Sequence, residues 1–254
     1  MSGTLPEVRV LPAGECGLIL EMGNEISPEI NARVHRLAKR VAQENPEGVI
    51  EVVPTYRSLL VYFDPLRLKR SDLVDAIERM LSDVASSGGR EDEIRVVDVP
   101  VCYGGEFGPD LEYVAKHNGL SEQEVISIHS SKPYLVYMLG FTPGFPYLGG
   151  MSGRIATPRL EKPRSKIPQG SVGIAGAQTG LYPVESPGGW RLIGRTPLNP
   201  FVSNSPSPFL FSAGDYLHFI PISPGEYREL RRKVDSGAFR PKFHIRRLEA
   251  LSDD

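Results

Sequence analysis

The sequence has few cysteines, no long apolar run and little net charge, and each shortage excludes a class of protein. Cys16 and Cys102 are the two cysteines in 254 residues and form no CxxC pair, which excludes a disulfide framework and a cysteine-rich zinc site. No apolar run reaches the ~18 residues of a membrane helix, and the N-terminus lacks a signal-peptide pattern. A formal charge of −2 argues against nucleic-acid binding. We therefore expect a cytoplasmic protein that acts on neither a membrane nor a nucleic acid.

Common catalytic motifs are absent as well. There is no Walker A sequence and no GxSxG elbow. The five histidines never pair at i+2 or i+4, so a histidine-rich metal site is not expected. Gly170, Gly173 and Gly176 are too evenly spaced for a dinucleotide fingerprint and are interpreted as strand and turn glycines. We expect no metal and no tightly bound cofactor, and the sequence alone assigns no catalytic residue.

The first part of the chain alternates between strand and helix patterns. The predicted elements are strands at 8–10, 18–22, 49–53, 58–63 and from Ile94, with helices that begin near Ser27 and Ser71. This β-α-β-β-α-β order is that of a ferredoxin-like unit, an antiparallel sheet with both helices on one face. We assign this α+β domain to residues 1–92.

The rest of the chain, residues 93–254, is rich in proline and glycine, which together fill 22 of the 68 positions at 133–200. Because such a segment cannot remain helical, it predicts short strands joined by tight turns and a nearly closed β-barrel. The predicted strands lie at 134–139, 173–175, 181–184, 190–195, 216–220 and 243–246, and a helix begins near Ser223.

Residues 109–130 predict a helical hairpin, with a capping box at Ser121–Glu124 that opens its second helix. Its spacing resembles that of a DNA-binding helix-turn-helix. Glu122 and Glu124 would face the phosphates, and the second helix carries no Lys or Arg before Lys132. We therefore interpret the pair as a helical hairpin only.

The segment 133–200 also differs from the rest of the chain in charge. Seven Lys and Arg residues oppose Glu161 and Glu185, whereas the remainder of the chain is acidic. Arginine offers a planar fork to carboxylates or phosphates, Gln178 can read an amide, and Tyr182 or Trp190 can stack on a flat ligand. Structural arginines and buried aromatics would give the same composition, so an anion-handling surface and a solvated basic loop both remain open.

The order of the motifs in this segment carries a specific resemblance. The motifs are FTPGFPYLG at 141–149, PQGSVGIAG at 168–176, QTGLYP at 178–183 and SPGGWRLIGRTP at 186–197, followed by AGD at 213–215. They resemble the B-subunit family of bacterial 5-oxoprolinase, also labelled allophanate hydrolase subunit 1, which includes the sporulation kinase inhibitor of bacilli. The same module is similar to one half of the carboxyltransferase region of urea carboxylase. Near the N-terminus, Cys16 departs from the family pattern.

The resemblance implies a ferredoxin-like N-terminal domain and a cyclophilin-like C-terminal β-barrel. It also implies ATP-dependent opening of 5-oxo-L-proline to L-glutamate by a complex that includes the A and C subunits of that enzyme. ATP, with Mg as its counter-ion, would then be used by the whole complex, and this chain would be inactive alone.

Two sets of candidate site residues follow from the segment and the resemblance together. The candidates for binding the substrate or an anion are Arg159, Arg164, Gln178, Thr179, Tyr182 and Arg195. The candidates for a ligand site or an interface between subunits are Phe141, Pro143, Gly144, Phe145, Tyr147, Gly188, Gly189 and Trp190.

Two other functions are compatible with the same resemblance. The chain could be a non-catalytic inhibitor of a sensor histidine kinase, which would bind the kinase through its barrel. It could also be a carboxyltransferase half that acts on urea-like substrates, which would require a biotin-carrying partner.

Overall fold

The structure, a computed structural model, describes residues 8–86, 93–239 and 241–247. The chain divides into two compact units, Met1–Glu91 and Asp92–Asp254. None of the helices in these ranges combines the length and the hydrophobicity that a membrane-spanning segment requires.

The first unit packs two helices on a four-stranded antiparallel sheet of order β1-β2-β4-β3. Its elements are β1 (Arg9–Pro12), β2 (Gly17–Glu21), α1 (Pro28–Glu44), β3 (Val49–Pro54), β4 (Ser58–Phe63) and α2 (Arg70–Ser86). Helix α1 begins where the sequence predicts, because the Ser27 hydroxyl accepts a hydrogen bond from the Ile30 amide and proline suits the first turn. It ends at Asn45, whose backbone is left-handed.

The last strand predicted for a ferredoxin-like unit does not belong to this sheet. The strand that contains Ile94 lies in the second unit, and β1 occupies the edge beside β2 instead. Val8 and Val10 make this possible, since both pack against the core under the helices. The predicted order of helices and strands is present, but the ferredoxin-like assignment is not confirmed.

The second unit is built around an eight-stranded sheet. The described strands of the second unit, in and beside this sheet, are β5 (Glu93–Tyr103), β6 (Tyr134–Leu139), β7 (Pro146–Gly149), β8 (Arg164–Ile167), β9 (Ser171–Ala175), β10 (Gln178–Leu181), β11 (Ser186–Gly188), β12 (Arg191–Arg195), β13 (Tyr216–Pro221) and β14 (Phe243–Arg247). The sheet order is β10-β9-β12-β5-β13-β6-β7, with β14 added beside β5, and β8 and β11 form a separate pair. Strand β7 returns to lie against β10, so the sheet is a nearly closed barrel.

Three helices and one 3₁₀ turn complete the second unit. They are α3 (Leu111–Asn118), α4 (Glu122–Ser130), the 3₁₀ turn Gly153–Ile155 and α5 (Pro224–Asp235). Helices α3 and α4 form the hairpin that the sequence predicts, and the Ser121–Glu124 capping box is present. Helix α5 has the same kind of box at Ser223 and Glu226.

Candidate functional site

Three aromatic side chains from residues 133–200, the motif segment, form a compact cluster inside the second unit. The ring of Phe145 meets Tyr182 and Trp190 edge to face, with centroids 5.5 Å and 5.6 Å apart. Trp190 is 8% exposed and the other two are more deeply buried. In this structure the cluster therefore contributes core packing and does not offer a stacking face to a ligand.

Two of the motif glycines are required by this packing. A Cβ on Gly180 would lie 2.8 Å from Cζ3 of Trp190, and one on Gly188 would lie 2.5 Å from the Tyr182 hydroxyl oxygen. Gly189 has more space, and its carbonyl accepts a hydrogen bond from the Leu160 amide at 2.7 Å. The predicted contact residues Gly188 and Gly189 thus hold the loop against the cluster.

The Tyr182 hydroxyl lies between this cluster and the basic side chains of the segment. Burial raises the pKa of Tyr182 to about 12, while a hydrogen bond with the Trp190 backbone and the charges of Arg159 and Arg164 oppose the rise. At neutral pH the phenol is therefore protonated and neutral. Two of the predicted anion-binding arginines lie within electrostatic range of it.

Arg164 is engaged within the protein. Its guanidinium donates to the Asp110 carboxylate at 2.9 Å and to the Trp190 carbonyl at 3.4 Å. The other carboxylate oxygen of Asp110 accepts from the Leu192 amide at 2.6 Å, and Asp110 is itself buried. Arg164 therefore neutralises a buried carboxylate, and sequence reasoning missed Asp110 because its partners are distant in the chain.

The other polar candidates are more accessible. Arg159 is exposed and forms no ion pair or hydrogen bond with any residue that the structure describes. The Nε of Arg195 donates to the Gln169 carbonyl at 2.9 Å, which leaves the rest of its guanidinium available. Gln178 is half-buried at the start of β10.

Thr179 lies inside the barrel in a hydrogen-bonded chain. Its hydroxyl donates to the Gly173 carbonyl (3.2 Å) and therefore accepts from Nε2–H of His129 (2.8 Å). Nδ1 of His129 then accepts from the Tyr103 hydroxyl (2.8 Å). Thr179 and His129 are both fully buried, whereas Tyr103 at the other end of these hydrogen bonds is half-buried. Sequence reasoning missed the role of His129 because an isolated histidine carries no spacing signal.

The loop before β7 exposes a large apolar side chain of the motif segment. Phe141 is 67% exposed and has a left-handed backbone with φ of 65°, which is a strained conformation for a bulky residue. Gly144 places this loop against the loop that carries Val202 and Phe209, both of which are exposed. We call Phe141, Pro143, Val202 and Phe209 the apolar loop patch. Tyr147 is half-buried beneath it, against Phe145.

Two hydroxyl oxygens of the same segment lack partners. Within the part of the chain that the structure describes, Thr142 Oγ1 and Ser186 Oγ are buried and make no hydrogen bond. An unsatisfied buried hydroxyl costs about 1–3 kcal/mol. Thr142 lies in the same loop as Phe141 and Pro143, so an unmet polar group adjoins the exposed apolar residues.

The structure thus separates the predicted residues into two groups. The aromatic cluster and Thr179 are buried and Arg164 is engaged by an internal carboxylate, whereas Arg159, part of Arg195 and the apolar loop patch are accessible. In the described ranges, no group of three or more His, Cys, Asp or Glu side chains is placed to hold a metal ion.

The architecture is a mixed α/β protein that combines a helix-covered sheet with a nearly closed barrel. The same fold occurs in the solved structure of the urea amidolyase of K. lactis, with a TM-score of 0.76 and 21% identity over 96% of this chain and 16% of that one. At this identity the likeness concerns the fold alone.

The sequence comparison defines the family. The profile described as "Carboxyltransferase domain, subdomain C and D" matches residues 8–211, and the chain belongs to this family. The B subunit of 5-oxoprolinase from Bacillus subtilis is 45% identical over 87% of this chain and 95% of its own length. The protein of the same name from Escherichia coli O157:H7 is 43% identical over 84% of this chain and 95% of its own length.

The ion pair of Arg164 with Asp110 leads to a prediction about stability. Arg164→Ala leaves a buried carboxylate without its cation and should lower the free energy of unfolding by about 2 kcal/mol, since Arg164 is itself partly exposed. Arg159→Ala, the matched control, should change it by less than about 0.5 kcal/mol. Urea unfolding followed by the fluorescence of Trp190, the single tryptophan, measures both. Equal effects of the two substitutions would contradict a structural role for Arg164.

The buried His129 leads to a prediction about acid stability. Burial lowers its pKa from 6.5 to about 3, so the folded state keeps the ring neutral. Below pH 6.5 the unfolded chain takes up a proton that the folded chain does not. His129 should therefore remove about 1.4 kcal/mol of stability per pH unit as the pH falls towards 3.

The His129→Gln variant should lose that part of the pH dependence, whatever its stability at neutral pH. His117→Gln, which changes an exposed histidine, should keep it. Urea unfolding at several values between about pH 7 and about pH 5 gives the slopes. An unchanged slope in His129→Gln would show that His129 titrates normally in the folded state.

Proposed function

We propose that this chain is the B subunit of an ATP-dependent 5-oxoprolinase, a complex that converts 5-oxo-L-proline to L-glutamate. The observation that carries the proposal is the near full-length identity with relatives that bear this name. Opening a lactam is uphill in water, so coupling to ATP hydrolysis suits the reaction. The family described as a carboxyltransferase domain supplies the scaffold, and a fold alone does not determine its chemistry.

The role we propose for this chain within the complex is to bind and orient the substrate. The substrate carries a carboxylate, and Arg159 offers an exposed, unengaged guanidinium among the described residues. Arg195 and Gln178 are further candidates for polar contacts. A bidentate contact to a carboxylate would fix the position of the lactam ring.

ATP, with Mg as its counter-ion, is proposed to act at the level of the complex. The sequence holds no Walker A loop, and the described residues include no cluster of three or more His, Cys, Asp or Glu side chains placed to hold a metal ion. The chemistry of ATP, activation of the lactam oxygen by phosphorylation, would then depend on groups from the partner subunits. This chain would be catalytically inactive without its partner subunits.

The apolar loop patch is the surface that we propose for contact with the C subunit. Exposed aromatic residues are typical of interface centres, and prolines restrict the loop so that little entropy is lost on binding. The strained backbone of Phe141 and the unpartnered Thr142 hydroxyl both fit a loop that is completed by a partner. The buried Trp190 and Tyr182 would support this loop from within.

The function can be tested on the assembled complex. A tagged version of this chain is co-expressed with the A and C subunits, purified, and assayed for glutamate release from 5-oxo-L-proline and Mg-ATP. We expect activity that requires ATP and all three subunits, and none from the isolated chain. A stable complex without ATP-dependent glutamate release would overturn the proposal. Activity of the isolated chain would overturn the proposal that the reaction depends on groups from the partner subunits.

The contact surface leads to a prediction about assembly. Phe141→Ala and Phe209→Ala should each lower the affinity for the C subunit by about tenfold or more, because each removes exposed apolar contact area. The melting temperature of the isolated chain should stay nearly unchanged. Leu66→Ala, which removes a 94% exposed side chain in the first unit, is the matched control and should bind normally. Trp190→Ala should lower the melting temperature, because it opens the buried cluster.

Normal assembly of both Phe variants would show that the C subunit docks elsewhere. The affinity measurement is a titration of the purified chain against its purified partner, so that loss of binding is separated from loss of expression.

A further inference from the structure

An open cleft of about 580 Å³ lies along helix α5, away from the motif segment in the sequence. Its lining comes from Gly225, Tyr227, Arg228, Arg231 and Arg232. Three of these five residues are arginines. Arg228 and Arg232 lie four positions apart on one helix, where two like charges repel each other and destabilise an isolated helix by a few tenths of a kcal/mol.

The carboxylates of α5 form their ion pairs with other side chains, although Glu229 lies close enough to Arg232 for that positive charge to help lower the pKa of Glu229. Glu226 caps the helix through Ser223, and Glu229 pairs with Lys233. Asp235 pairs with Arg231. Among the residues that the structure describes, Arg228 and Arg232 therefore form no ion pair and no hydrogen bond.

One side of the cleft is fixed in position. Besides its ion pair, Arg231 donates hydrogen bonds to the Pro197 carbonyl (3.1 Å) and to Oδ1 of Asn199 (2.8 Å), which tie α5 to the segment after β12. The ring of Tyr227 is buried and packs against Phe107, with centroids 4.5 Å apart. Arg195 lies close enough to Tyr227 to oppose the rise that burial causes in its pKa. Arg195 is therefore a fourth arginine whose positive charge acts near the cleft.

We propose that this cleft is a binding site for a phosphate-bearing small molecule, held by Arg228 and Arg232 over the fixed floor of Tyr227 and Arg231. Two unengaged guanidinium groups on one helix face can donate to different oxygens of the same phosphate. The volume lies within the range typical of small-molecule sites. A dianionic group would also remove the repulsion between the two arginines.

A carboxylate near the cleft, that of Glu106, should oppose the binding of an anion. Glu106 and Arg228 both lie within electrostatic range of the Cys102 thiol, whose pKa burial raises. Glu106 forms no ion pair with a described residue. Its negative charge should therefore weaken binding of an anion in the cleft, and removing that charge should strengthen binding.

The experiment is a calorimetric titration of the full chain with inorganic pyrophosphate, inorganic phosphate and, as a carboxylate probe, citrate. We expect saturable binding of pyrophosphate that is tighter than that of citrate and weakens as salt increases. Arg228→Ala and Arg232→Ala should each weaken it by about tenfold or more. Both side chains are exposed, so the variants should fold normally, which the melting temperature verifies.

Lys132→Ala is the control, since it removes one positive charge from an exposed position of the second unit outside the cleft lining and should change the affinity by less than about threefold. Glu106→Gln should tighten binding. Absence of saturable pyrophosphate binding, equal loss in Lys132→Ala, or a preference for citrate would each overturn the assignment. None of these results depends on 5-oxoprolinase activity, so the site and the proposed function are tested separately.

Discussion

The barrel of the second unit depends on the buried carboxylate of Asp110. One oxygen accepts the Leu192 amide of β12 and the other accepts the guanidinium of Arg164 at the start of β8. The backbone amide of Asp110 in turn donates to the Leu192 carbonyl. One residue at the start of α3 thus joins the helical hairpin, the central strand β12 and the strand β8. A buried charge is tolerated only when it is paired and hydrogen-bonded, so these three segments must be in place together.

The aromatic cluster depends on this arrangement. Arg164 also donates to the carbonyl of Trp190 and so helps to position the backbone of the residue that carries the indole. Phe145, directly before β7, and Tyr182, directly after β10, pack against the indole. Gly180 leaves the space that the rings need. The interior of the motif segment is therefore rigid, and its exposed loops are held in place by the aromatic cluster and the Arg164–Asp110 ion pair. Such a support suits a protein that positions a substrate or a partner.

Capping and periodicity predicted most helices and strands. They did not predict features that depend on contacts between residues distant in the sequence. The helix start at Ser27 and the strand Tyr134–Leu139 follow from capping and periodicity alone. The strand predicted at 181–184 lies instead at Gln178–Leu181, because a tight turn at Gly176 pairs it directly with the preceding strand. Whether an arginine binds a ligand or an internal carboxylate is decided by a partner 54 positions away, as for Arg164. No local pattern carries that information.

The pairing of β5 has a consequence for the order in which the protein can fold during synthesis. β5 pairs in parallel with β13 along Val96–Val101, although β5 ends at Tyr103 and β13 begins only at Tyr216. The ribosome therefore releases β5 long before its partner exists, while the sheet of the first unit, with pairings confined to residues 9–63, can already close. During that interval the edge of β5 and its buried valines have no partner strand, which is the condition under which nascent chains aggregate or engage chaperones.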